Sequence, residues 1–81
     1  MSKSTDADDY RKLRELLTAA RIEADLTQAQ VAAKLGRPQS FVSKYENGAR
    51  QLGAIELLQI CDALGGIYLD LAIKLAKAHG R

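Results

Sequence analysis

An all-α domain of five short helices is the fold class this sequence predicts, on three observations. Apolar residues recur at three- and four-residue spacing along most of the chain. The two-residue alternation of a half-buried strand is weak throughout. Capping residues and glycines fall between the apolar stretches, where helices start and stop. At 81 residues the chain has room for one core. Its composition, 47% hydrophobic and 27% charged with a single Pro, is that of a globular domain rather than a low-complexity segment.

The first helix is expected from Asp9 to Ala24, behind a polar arm at residues 1–8. Tyr10, Leu13, Leu17 and Ala20 form its apolar stripe, Leu16 widens it, and Asp8 and Asp9 stand where acids favour a helix N-terminus. The second runs from Thr27 to Leu35. Thr27-Gln28-Ala29-Gln30 has the form of a capping box, Val31, Ala32 and Leu35 make the apolar face, and Gly36 ends it. The third begins at Pro38 or Gln39, because the missing N–H of proline has no intrahelical partner in a first turn anyway. Val42 and Tyr45 then point inward, Gln39, Ser40, Ser43, Lys44 and Asn47 point elsewhere, and Asn47-Gly48 turns the chain. The fourth spans Ala54 to Leu64 with Leu57, Leu58, Cys61 and Leu64 on one stripe, and Gly65-Gly66 stops it.

The fifth helix, Ile67 to Ala78, is apolar on two sides. Ile67, Leu71 and Leu75 form one stripe, and Leu69, Ile73 and Ala76 another. One stripe closes the small core, and the other needs a partner, since monomers rarely expose large apolar patches. The expectation is a two-fold homodimer built around this helix, with Ile67, Leu69, Ile73 and Ala76 in the interface. Residues 79–81 are a tail.

Counting excludes several classes of function. One cysteine permits neither an intrachain disulfide nor a cysteine zinc cluster, and the sole histidine, His79, lies in the tail. Cys61 occupies a core position and reads as a small buried hydrophobe. Glu56, Asp62 and Asp70 read as the solvated face of the last two helices rather than metal ligands. No cofactor, metal, small-molecule ligand or catalytic constellation is expected, so the chain is not read as an enzyme. The apolar runs are far too short for a membrane span, and the polar, acidic N-terminus is not a signal peptide. A reducing bacterial or phage cytoplasm is the expected compartment. From Thr27 to Arg50 the basic residues Lys34, Arg37, Lys44 and Arg50 face one acid, Glu46, for a net +3. From Gln51 to Ile73 the only charges are Glu56, Asp62 and Asp70, a net −3. A basic middle beside an acidic segment fits one face that meets a polyanion and another that does not.

Two short helices separated by three residues that include a glycine have the spacing of a helix-turn-helix, at about residues 27–47 of a domain spanning 9–78. Ala32 supplies the small residue where such helices cross, Gly36 the reversal, and Val42 the apolar anchor. The run Thr27-Gln28-Ala29-Gln30-Val31-Ala32 through Gly36, then Gln39-Ser40-Phe41-Val42-Ser43-Lys44-Tyr45-Glu46-Asn47-Gly48 and Arg50, resembles the phage-repressor/Cro type of helix-turn-helix, also called the xenobiotic-response-element class. The resemblance continues through Leu57 to Gly65 and covers residues 13–72. It implies a five-helix, lambda-repressor-like DNA-binding domain, acting as a homodimeric transcriptional repressor on a palindromic operator in double-stranded DNA.

The resemblance carries over residue by residue. Gln39, Ser40, Ser43 and Lys44 match positions that meet base edges in the major groove. Gln28 matches a residue that bonds phosphate and braces the first groove-facing side chain, which is Gln39 here. Asn47, Arg50 and Gln51 lie in the loop that grips the backbone, and Arg21 and Glu46 match an internal salt bridge. Asp25 stands where the family commonly has glycine. Arg37 and Pro38 replace the usual aliphatic residue and capping serine. Arg37 is assigned to phosphate, with the groove or solvent as its other placements. Phe41 reads as an apolar side chain on the exposed side of the third helix, packing on a thymine methyl or on its neighbours. Two further roles stay open: an antitoxin holding a toxin through the fifth helix or the arm, and a protein-interaction module without DNA contact.

Overall fold

The computed structural model describes residues 6–78, which form five α-helices: α1 (Asp6–Glu23), α2 (Gln28–Leu35), α3 (Gln39–Asn47), α4 (Ala54–Ala63) and α5 (Tyr68–Ala78). There is no strand among the described residues. Residues 1–5 and the tail with His79 lie outside them. Helix α1 starts at Asp6, three positions before the expected Asp9, so residues 6–8 are helical rather than part of an arm. Within this first turn Asp8 accepts from Arg11 at 3.0 Å, one turn on.

The caps explain where the short helices begin and end. Thr27 Oγ1 accepts from the Gln30 backbone N–H at 3.0 Å, and Gln30 Oε1 accepts from the Thr27 N–H at 2.8 Å, which closes the capping box. At the other end Gly36 adopts φ 68°, with Arg37 N–H on the Ala32 carbonyl and Gly36 N–H on that of Ala33. The same pair of bonds ends α1, from Leu26 N–H to the Arg21 carbonyl and from Asp25 N–H to that of Ile22, but the left-handed residue is Asp25 at φ 61°. Proline at position 38 gives α3 no side-chain cap, so that helix depends on packing.

That packing puts α2 against α3 and α4, and α1 against α3 and α5. Leu17, Val31, Val42, Tyr45 and Ile60 are fully buried where these helices meet, ringed by Leu13, Ala32, Phe41, Cys61, Leu64 and Leu71. Three sequence expectations are corrected. In α4 the buried stripe uses Ile60, while Leu58 turns outward and is 51% exposed; Leu57, Cys61 and Leu64 all need the inner arc, which leaves Leu58 on the rim. Ile67, just before α5, packs with Leu71 and Leu75 against the core, which sets it apart from the outward Leu69, Ile73 and Ala76 with which the expected dimer interface grouped it. Phe41 is buried, not groove-exposed, for a reason that belongs to the interface below.

Candidate nucleic-acid interface

Helix α3 is fixed on its inner side by Val42 and Tyr45, and its outer side carries Gln39, Ser40, Lys44 and Asn47, all exposed, with Ser43 half-buried between them. Phe41 meets Tyr45 edge-on, with ring centroids 5.5 Å apart, and so extends the buried stripe by one residue. No acid lies on the outer face, which therefore offers short hydrogen-bonding groups and one ammonium. Each flank of the helix is held by a different set of charges.

The inner flank is a relay. Arg21 Nε and Nη2 donate to the two oxygens of Glu46, at 2.8 and 3.2 Å, and Arg21 Nη1 donates to the Leu26 carbonyl at 2.9 Å. Both side chains are largely withdrawn from solvent, and the Glu46 hydrogen bond holds the Arg21 pKa above its ordinary value. Gln28 Nε2 donates to Glu46 Oε1 at 2.9 Å. With its nitrogen committed, Gln28 turns its oxygen outward, where it accepts from Gln39 Nε2 at 2.8 Å. A part-buried ion pair on α1 and α3 thus sets the orientation of the first outward side chain of α3. Gln39 keeps one Nε2 hydrogen and the whole of Oε1 for another partner.

The outer flank was not legible as a unit. Arg37, from the α2–α3 turn, donates to Glu56 Oε2 at 3.2 Å, and Arg50, from the loop after α3, donates to the same oxygen. The other oxygen, Oε1, accepts from the Gly53 backbone N–H at 3.1 Å, which caps α4. That backbone bond, then the two guanidiniums, hold the Glu56 carboxyl below the usual carboxylate range. Both guanidiniums lie against Phe41, with their central carbons 4.3 and 5.1 Å from its ring centroid. The two arginines therefore lie over Phe41 and add to the cover that Tyr45 gives it. Glu56, read from sequence as a solvated acid, is their common partner. Asn47 Oδ1 accepts from the Ala49 N–H at 2.8 Å and shapes the loop itself, and Gln51 is exposed beyond it.

A helix-turn-helix family model matches residues 17–71, spanning α2, the turn, α3, the loop and α4. The chain belongs to the Cro/C1-type helix-turn-helix family. Among solved structures it is similar to an XRE-family like protein from Pseudomonas syringae pv. tomato str. DC3000, at 44% identity and a TM-score of 0.84, over 93% of this chain and 90% of that one. No curated protein matches significantly. Membership of the Cro/C1-type family makes this chain a DNA-binding transcriptional regulator. Among the described residues no helix is long and apolar enough to cross a membrane, and no group of His, Cys, Asp or Glu is arranged to hold a metal ion.

Proposed function

We propose that this Cro/C1-type protein is a homodimeric repressor that reads a palindromic operator by placing α3 in the major groove. The observation that carries the reading is the Arg21–Glu46–Gln28–Gln39 relay, which presents Gln39 in one orientation before any DNA arrives. Adenine offers an N6 donor and an N7 acceptor along its major-groove edge. The Gln39 amide accepts from the first through Oε1 and donates to the second through its remaining Nε2 hydrogen, without releasing Gln28. Ser40, Ser43 and Lys44 face the neighbouring base pairs. Gln28, Arg37, Asn47, Arg50 and Gln51 flank them at the level of the phosphates, which position the domain without reading sequence.

Dimerisation rests on α5. Leu69 is 73% exposed and Ile73 47%, and Ala76 lies on the same outward side. A two-fold axis there sets the two α3 helices about one DNA turn apart, ~34 Å, which demands a palindrome. The test is selection of bound duplexes from random DNA by the purified protein, read by sequencing, with sedimentation in parallel. The reading expects an enriched two-fold symmetric motif and a dimer at about the tens-of-micromolar range where a weak standard-size interface is populated. Enrichment of a single half-site by a monomer removes the dimer. No enrichment by a folded protein removes the operator.

A further inference from the structure

Glu56 has no part in the DNA contacts proposed so far, yet it occupies both arginines that flank the DNA-facing side of α3. We propose that Glu56 is an internal counter-ion that lowers the affinity of the arginine pair for DNA phosphate, so that the charge at this one position sets how tightly the domain holds any duplex. The proposal rests on the DNA-binding reading and deepens it.

Each guanidinium has five N–H groups and donates one to Glu56 Oε2. Arg37 and Arg50 remain 39% and 40% exposed, so their other donors are open to an incoming phosphate, whereas Glu56 is 19% exposed behind them. A phosphate bound to either arginine sits close to the carboxylate and is repelled by it. The cluster thus carries two positive charges and one negative, and presents DNA with a net +1 instead of +2. The carboxylate also has a geometric part. Its Oε1 caps α4 at Gly53, and its Oε2 draws both arginines over Phe41. A glutamine at position 56 suits the third position of a helix and removes the charge, but its single oxygen serves either the Gly53 N–H or the arginines, so the double-arginine background below is what separates the charge from the lost acceptor.

The experiment measures binding of wild type and Glu56→Gln to a labelled mixed-sequence duplex of about three helical turns, by fluorescence anisotropy over a salt series, with circular dichroism as the check on folding. Glu56→Gln is expected to bind about 3- to 10-fold tighter at low salt, and its log–log salt slope to steepen by about 0.9, as for one more neutralised phosphate. In a background of Arg37→Gln with Arg50→Gln the gain is expected to vanish, since the arginines through which Glu56 acts are gone. Equal or weaker binding with an unchanged slope makes Glu56 a structural strut and overturns the proposal. So does a gain that survives in full without the arginines, which reports net charge alone. Binding by neither folded protein overturns the DNA-binding reading itself, and the proposal with it.

Discussion

The two flanks of α3 use the same chemistry, a carboxylate clasped by arginine, to opposite ends. On the inner flank Glu46 and Arg21 are 6% and 14% exposed and pass their geometry through Gln28 to Gln39. On the outer flank Glu56 holds Arg37 and Arg50 at the surface, against the ring of Phe41. Burial makes the difference. A pair withdrawn from water is costly to break and therefore fixes a conformation. A pair at the surface is worth little to stability and remains available for exchange with an external anion. On the reading proposed above, the inner flank sets which base is read, and the outer one how strongly the backbone is held.

The largest expected effect breaks the inner flank. Arg21→Ala leaves the Glu46 carboxylate largely buried without its guanidinium, and the cost is expected at about 3 kcal/mol by urea denaturation. Glu56→Gln, with its partners at the surface, is expected to move the unfolding midpoint far less, and equal losses would erase the distinction between the flanks. Next comes the turn that terminates α2 and leads into the interface. A Cβ at Gly36 would meet nothing within 4 Å, so Gly36→Ala tests backbone strain alone at φ 68° and is expected to cost about 1–2 kcal/mol. Smaller again, and of opposite sign, is Asp25→Gly. Asp25 is the left-handed residue of the turn that delivers the Leu26 carbonyl to Arg21, and relieving it is expected to raise stability by up to about 1 kcal/mol.

The smallest effect is the pH dependence of the outer flank. The folded-state pKa of Glu56 is depressed, by the Gly53 N–H first and the arginines after it. Its contribution is therefore present above the ordinary carboxylate range and is lost as pH falls through the lowered value. The small advantage of wild type over Glu56→Gln at neutral pH is expected to close on acidification, as thermal midpoints from neutral to acid pH will show. A gap that widens instead would reverse the sign of this account.

The two flanks also differ in how far they could be read from the chain. The helices themselves were local: Thr27 with Gln30, Gly36, and the spacing of Val42 and Tyr45 are written within a few residues of where they act. The Arg21–Glu46 pair and the Gln28–Gln39 contact span 25 and 11 residues, and they came from the resemblance to the Cro/C1-type pattern, not from periodicity. Nothing comparable pointed to Glu56. Its arginines lie 19 and 6 residues before it, on a turn and a loop, where no helical period relates side chains. Phe41 was misplaced for the same reason. Its position on α3 lies at the edge of the buried stripe, and contacts distant in sequence, the two arginines laid over its ring, complete its cover beside Tyr45. Helix α5 shows the converse. Two apolar stripes were legible, and the fold assigns Ile67, Leu71 and Leu75 to the core while leaving Leu69 and Ile73 outward.

The central claim is that the inner flank aims Gln39 at one base. Selection of bound duplexes by Gln39→Ala, set beside that by wild type, tests it most directly. The account predicts that preference is lost at one position in each half-site, with ~1–3 kcal/mol of affinity lost on the preferred sequence and little on unrelated duplexes. An equal loss on every sequence, with the enriched motif unchanged, would contradict it and make Gln39 one more contact to the backbone.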